Sequence, residues 1–404
     1  MIIDYHGSYS EEAFHSILYL MAKIQAPDLY LTSGNYPTIR DKRDRRLYEI
    51  NKYFEKEKYP ILEPKDIENI VFIITGKEHL GRREFDTSYS LKNEAYFRVH
   101  IYSLVGKLSL AIRFIPAKIP DLSSLSFSPE VEEKLRMVCT HKDGLVLVTG
   151  PTGSGKSTTV ASVMNEMRKT RSLSIVTIED PIEFVHKIKV NGEDGLVDVI
   201  IQQQVGIDVP TFYDGIVASL RKHPNVILLG EIRGKDEMAE AINAANTGHL
   251  VLGTLHTRNA IQTIERIIAL RSDIPKTEAY KEVASIMRVF ISQQLVPKID
   301  GSGFIPVCEI LANTPYVSDI IEKGANFMDM KEALDGKTRS PEIISLNEDL
   351  FTRWQRKEID RKIALSASYN KVDLDLRMRK FGVPWEEKRK EEKEEEERFG
   401  EGGF

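Results

Sequence analysis

The sequence predicts an α/β protein with two folded parts, a small α/β unit in the first third and a larger unit built on a parallel sheet. Three observations carry this prediction. Before residue 116, strand-like runs alternate apolar and polar residues, as half-buried strands do. From Gly144 the runs become short, continuous and β-branched, and helical stretches separate most of them, which is the pattern of a sheet covered on both faces. Between the two rhythms lie Pro116, Pro120 and the serine-rich stretch 123–128, which break both patterns.

The elements follow in order. Glu11 to Ile24 places Phe14, Ile17, Leu18, Met21 and Ala22 at helical spacing and predicts an amphipathic helix. Val71-Phe-Ile-Ile, Tyr96 to Tyr102 and Leu108 to Ile115 read as strands. These make an N-terminal domain over 1–116 and a linker over 117–128. Leu145 to Val148, Ser174 to Ile178, Val226 to Leu229 and Leu250 to Leu255 are the buried strands, and Ser157 to Met167 the first helix, of a second domain over 129–345. Beyond about Gln294 the chain reads as mixed and mostly helical, ending in a helical C-terminal extension over 346–404. Its last stretch, Glu386 to Phe404, carries nine Glu against five Lys or Arg and reads as a solvated helix or tail without a function.

Composition bounds the function. The 404 residues are 41% hydrophobic and 29% charged with a net charge of −5, a globular composition with material for two cores. No apolar run approaches the roughly 18 residues of a membrane span, and Met1 to His6 lacks the basic-then-apolar pattern of a secretory leader. Cys139 and Cys308 stand alone, which excludes a disulfide framework and a Cys-x-x-Cys zinc site and fits a reducing cytoplasm. The acidic balance argues against a dedicated nucleic-acid binder. The nearest basic run, Arg40 to Arg46, is broken by aspartates.

Gly150-Pro151-Thr152-Gly153-Ser154-Gly155-Lys156-Ser157 fits G-x-x-x-x-G-K-[ST] in full, with a strand before it and a helix after it. Such a loop points backbone N–H groups at phosphate oxygens, and the N-terminus of the helix that starts at Ser157, with Thr158 in its first turn, adds partial positive charge. Lys156 would reach the β- and γ-phosphates of ATP, and the Ser157 hydroxyl would ligate Mg2+. Two carboxylates follow strands, where the ligand crevice of an open α/β sheet lies. Glu231 follows Val226 to Gly230, in an altered Walker B with Gly230 at the usual aspartate position, and is assigned as general base on water. Glu179 follows Ser174 to Ile178 and is placed near the Mg2+ shell. His249 and His256 bracket another strand, an odd number of residues apart, so they do not share a metal. His256, at the C-terminal end, is expected to sense the γ-phosphate, while His249 fits a phosphate contact or a structural role equally. Arg221 and Arg233 are further candidates, for phosphate or for a salt bridge.

The order of these pieces resembles the secretion-ATPase superfamily, most closely the PilT-type retraction motors of type IV pili. Gly150 to Ser157 matches its Walker A, Ile178 to Phe184 its Asp box, Leu228 to Arg233 its Walker B and Thr247 to Thr257 its His box. Upstream, Ala26 to Gly34, Phe85 to Ser88, Phe97-Arg98-Val and Ile112-Arg113-Phe-Ile-Pro116 are similar to its N-domain strands. The resemblance implies a PAS-like N-domain, a RecA-like ATPase domain and a ring of six copies with ATP between neighbouring domains. It implies that Arg98 and Arg113 project toward bound nucleotide, where a guanidinium stabilises charge on the γ-phosphate. It further implies a cytoplasmic motor, peripheral at the inner face of the inner membrane and engaging a platform protein there, with no sequence-specific nucleic acid. The zinc-binding cysteines of extension motors are missing, and the basic C-terminal motif of retraction motors is replaced by Tyr316 to Lys323. Phe212 to Lys222 and the longer C-terminus resemble DotB-type ATPases of type IV secretion. Asn370-Lys-Val-Asp373 and Asp300-Gly-Ser-Gly303 match GTPase tetrapeptides formally, but Asn370 reads better as a helix-start cap.

Overall fold

Ser10 accepts a hydrogen bond from the Ala13 amide and starts the helix Glu11–Ile24, which buries Phe14, Ile17, Leu18 and Met21 as its spacing predicts. In the computed structural model, residues 9–41, 46–53, 58–76, 84–91, 95–115, 119–186, 190–191, 196–336 and 340–381 are described. They form two units: Met1–Ile119 with Glu179–Lys189 and Gln202–Pro210, and Pro120–Ile178 with Val190–Ile201 and Thr211–Phe404.

In the first unit, a second helix spans Pro64–Thr75. This corrects the expectation of a strand at Val71 to Ile74. An apolar quartet alone has no period; the signals lie upstream. Pro64 supplies a preset φ at the first turn, the Asp66 carboxylate accepts from the Glu63 amide at 2.7 Å, and Ile67, Ile70 and Val71 recur on one buried face. Both helices share a core with a six-stranded sheet in the spatial order Leu47–Glu49, Thr38–Arg40, Asp28–Thr32, Lys107–Ile115, Ala95–Leu104, Phe85–Leu91. All its pairings are antiparallel. Leu29, Leu31, Phe97, Val99, Leu110 and Ile112 enter that core. The alternation of a pleated strand puts Tyr30, Arg98 and Arg113 on the other face, and register sets Asp28, Arg113 and Arg98 in one row across three strands.

The second unit is organised by a seven-stranded sheet in the order Val199–Gln204, Ser174–Glu179, Val226–Leu229, Leu250–Leu255, Gly144–Thr149, Met287–Pro297, Phe304–Ala312. The central pairings are parallel and the last is an antiparallel hairpin. Beyond Gln294 the chain is mixed and mostly helical, as expected: after the hairpin strand Phe304–Ala312 come the helices Pro315–Glu322, Phe327–Asp335, Leu346–Gln355, Arg361–Ala367 and Lys371–Lys380. Val289, Phe290 and Ile291 alongside Gly144–Thr149 extend the sheet, and Asp300 to Gly303 is the turn, with Asp300 Oδ1 accepting from the Ser302 amide at 2.8 Å. The match of these residues to a GTPase tetrapeptide is therefore a turn signature.

Part of the stretch read as linker is core: Leu122 and Phe127 are buried with Val131, Leu135 and Met164. Helices Leu346–Gln355, Arg361–Ala367 and Lys371–Lys380 bring Leu350, Trp354 and Leu374 against Val296, Ile305 and Val307 of the hairpin. Asn370 caps the last of these, accepting from the Asp373 amide, as expected. The tail Glu386 to Phe404 lies outside the described residues. Among the described residues no helix is long and apolar enough to cross a membrane.

Candidate active site

The strand Gly144–Thr149 ends where Gly150 turns away at φ +145°, a region essentially reserved for glycine. A Cβ there would lie 2.2 Å from the Gln293 carbonyl oxygen and 2.7 Å from Ser154 Oγ. Gly155, at φ +86°, then starts the 15-residue helix Lys156–Thr170, whose N-terminal amides face the loop. Lys156 is buried, and its Nζ donates to the carbonyls of Gly150 at 2.9 Å and Pro151 at 3.1 Å. Its cation therefore lies across the curl of the loop. Pro151, Thr152 and Gly153 are exposed; Ser157 and Thr158 are half-buried on the first helical turn. Ser154 Oγ is buried without a hydrogen-bond partner among the described residues. A tight backbone curl, an orphaned hydroxyl, a lysine and a helix start fit a phosphate chain.

Neighbouring strand ends supply the acid–base groups. Leu255 pairs with Thr149, so His256 and Gly150 leave adjacent strands at the same level. Thr254 Oγ1 donates to the Gly230 carbonyl at 2.5 Å and fixes the turn before Glu231. Glu231 Oε2 accepts from Arg233 Nη2 at 2.9 Å, and Glu231 Oε1 lies 3.2 Å from His256 Nε2. Burial pushes the Glu231 pKa up, but the Arg233 hydrogen bond, the Arg233 charge and His256 outweigh it and hold the carboxyl below its ordinary value. Glu231 is therefore a carboxylate at neutral pH. Arg233 is more than half exposed and its amide donates to Glu237 at 2.7 Å. Arg221 is exposed on a short turn.

His249, at the opposite end of the strand Leu250–Leu255 from His256, has Nδ1 3.1 Å from the Ala244 carbonyl and 3.2 Å from Thr247 Oγ1. Glu179, last residue of its strand, groups with the first unit and is buried, and its Oε1 accepts from Gln202 Nε2 at 3.1 Å. On the open face of the first unit's sheet, a recess of about 340 Å3 is lined by Asp28, Tyr30, Asp86, Arg98, His100 and Arg113, among others. Asp28 Oδ1 accepts from Arg113 Nε at 2.9 Å and Asp28 Oδ2 from Arg40 Nε at 3.0 Å. Arg98 Nη2 reaches Asp86 at 3.5 Å.

One residue at the loop escaped the sequence analysis. Gln293 is buried, donates to the Ser154 carbonyl at 2.6 Å and accepts from Thr159 Oγ1 at 2.8 Å. The signal was available: Ser292-Gln293-Gln294 interrupts the apolar run Val289 to Val296.

Fold and loop together define a P-loop nucleotide-binding protein. Residues 86–363 match the type II/IV secretion system protein family, and the chain belongs to that family. The chain is 31% identical over 369 residues to the type IV pilus ATPase PilU of Pseudomonas aeruginosa, covering 90% of each chain. It superposes on the crystal structure of the pilus retraction motor PilT with bound ADP at a TM-score of 0.75 and 31% identity, covering 88% of this chain and 96% of that one. The Legionella pneumophila ATPase DotB superposes at a TM-score of 0.72 and 23% identity, covering 89% of this chain and 96% of that one, which speaks to the fold alone.

Proposed function

We propose that this chain is the ATP-driven motor that retracts a type IV pilus and so powers twitching motility. It is an ATP hydrolase. The observation that carries the proposal is the juxtaposition of the curled loop Gly150–Ser157 with the Glu231–Arg233–His256 cluster on neighbouring strand ends, in a chain related to PilU over nine-tenths of its length. The retraction role comes from the likeness to PilU and PilT.

The roles are as follows. The loop amides and Lys156 hold the phosphates; Ser157 would hold Mg2+, and Glu179 is the second residue that could hold it. Mg2+, when bound, neutralises charge on the β- and γ-phosphate oxygens. Glu231 takes the proton of the attacking water; His256, on the same carboxylate, orients it and reports γ-phosphate loss; Arg233 keeps Glu231 ionised. Arg98 and Arg113 stabilise the charge that spreads over the γ-phosphate in the assembled ring. His249 is given a structural role, consistent with its hydrogen-bond distances to Ala244 and Thr247. The working organisation is a PAS-like domain over 1–116, a RecA-like domain over 129–345 joined to it through 117–128, whose Leu122 and Phe127 pack into the RecA-like core, and a C-terminal extension over 346–404. Six copies form a cytoplasmic ring that engages a platform protein at the inner membrane.

Glu231→Gln tests the chemistry. It should keep nucleotide affinity within about threefold and slow hydrolysis by about 10² to 10⁴; unchanged kcat removes Glu231 as base. Deletion of the gene tests the machine. Cells should keep surface fibres that no longer shorten. The second reading, traffic through a secretion system, is favoured by the helix Pro315–Glu322, whose Asp319 pairs with Lys323 at 2.6 Å where retraction motors carry a basic motif. Normal fibre dynamics with lost secretion would select it.

A further inference from the structure

We propose that Gln293 is the positioning residue of the phosphate loop, resting on the reading that this loop holds ATP. Strand register puts it there. Ile291 pairs with Val148 and Ser292 with Thr149, so Gln293 is the next residue, at the point where its partner strand stops and curls away as the loop. Thr149 Oγ1 and Ser292 Oγ meet at 2.9 Å at the last paired step. One residue on, the Gln293 side chain reaches under the loop with both ends of its amide in use.

Each end does something different. Nε2 donates to the Ser154 carbonyl at 2.6 Å. A peptide group is planar and trans, so its C=O and N–H point in opposite directions. Holding the Ser154 carbonyl toward Gln293 therefore turns the Gly155 N–H to the other side, into the curl. Oε1 accepts from Thr159 Oγ1 at 2.8 Å, which ties the same amide to the first turn of the helix Lys156–Thr170 and fixes which end of it faces Ser154. The backbone of Gln293 contributes too, since its carbonyl oxygen stands 2.2 Å from where a Gly150 Cβ would be, and Nε2 stands 2.9 Å from where a Gly155 Cβ would be. The loop is thus moulded against one residue, with glycine at both points of closest approach. Gln293 itself is 2% exposed, so nothing else in water can replace its partners.

The consequence is a phosphate cradle set before nucleotide arrives. Amides that hold the β-phosphate hold it in substrate and transition state alike, so their loss raises KM and leaves kcat at saturation nearly alone. A merely structural residue does the opposite: its loss lowers the folded fraction, and with it kcat, at unchanged KM.

The test uses the full chain with Gln293→Glu and Gln293→Met, ATP turnover and ADP binding, and Lys156→Ala as the control on the underlying reading. Gln293→Glu keeps the acceptor for Thr159 and sets a carboxylate against the Ser154 carbonyl; Gln293→Met keeps the volume and removes both bonds. Both variants should raise KM for ATP and Kd for ADP at least tenfold with kcat within threefold. Thr159→Val, which leaves the Ser154 bond but frees the amide to turn, should raise KM about threefold and stands in if the Gln293 variants do not fold. In backbone NMR, the Gly155 amide shift induced by ADP in the parent should shrink in the variants. Unchanged KM and Kd, or a fall in kcat alone, would overturn the proposal. If Lys156→Ala also binds ATP normally, the nucleotide reading fails with it; if Lys156→Ala loses ATP while the Gln293 variants do not, only the role of Gln293 falls.

Discussion

Glu309 is buried on the edge strand Phe304–Ala312, and its Oε1 accepts from the Ala260 amide at 2.8 Å. Ala260 opens the helix that follows Thr257 to Asn259, so this carboxyl anchors the chain leaving His256. Burial, against the help of that amide and with Asp335 nearby, pushes its pKa from 4.5 up to about 7. The folded chain therefore binds the proton more tightly than the unfolded chain. Stability conferred by the neutral form is full below the unfolded value, declines as pH rises between about 4.5 and 7, and is flat above. Each tenfold change in proton affinity is worth about 1.4 kcal/mol, so the decline amounts to about 3 kcal/mol. Glu309→Gln keeps the acceptor for Ala260 and cannot ionise. Urea unfolding of both proteins at closely spaced pH values, followed by the fluorescence of buried Trp354, isolates this one group as a difference. The variant should match the parent near pH 5 and exceed it by about 3 kcal/mol at pH 8. A difference that stays constant across this range would refute the argument.

Two further outcomes are expected, the first from the loop geometry and the second from the role proposed for Arg113. Gly150→Ala combines a glycine-only backbone angle with a Cβ placed 2.2 Å from a carbonyl oxygen, so it should cost about 2–5 kcal/mol and abolish tight ADP binding, read by denaturation and by calorimetry. Arg113→Ala should lower kcat by about 10³ with ADP affinity unchanged. Its stability should stay within about 1 kcal/mol, because the exposed Arg113 leaves Asp28 still paired with Arg40. A normal kcat would reduce Arg113 to surface charge.

Where the sequence was legible, local and long-range preferences agreed. The helix Glu11–Ile24 announces itself because its cap, its period and its buried face coincide. The phosphate loop is legible because glycine is the only residue its backbone tolerates at Gly150, and Glu231 and His256 because strand ends dictate where side chains emerge. Val71 misled because four apolar residues satisfy either period, and the decision lay seven residues upstream at Pro64. The strand Met287–Pro297 was harder to read because Ser292-Gln293-Gln294 breaks its apolar run, and each of the three has a partner far away in sequence: Thr149 for Ser292, the phosphate loop for Gln293 and Tyr369 for Gln294. The ion-paired set around Asp28 was invisible because antiparallel register, not sequence distance, brings Arg40 and Arg113 to one carboxylate.

The seventh strand, Phe304–Ala312, is an outermost strand, the position where ladder groups on one side need partners outside the sheet. Here Ile310 and Ile344 exchange both backbone hydrogen bonds, at 2.8 and 2.9 Å, and the helix that follows, Leu346–Gln355, lays Leu346, Leu350 and Trp354 over Ile305 and Val307. The chain beyond residue 340 thus works as a selvage, a finished border that keeps the sheet from unravelling into its neighbours. A fragment cut before that point would expose a sticky strand and invite stacking edge to edge.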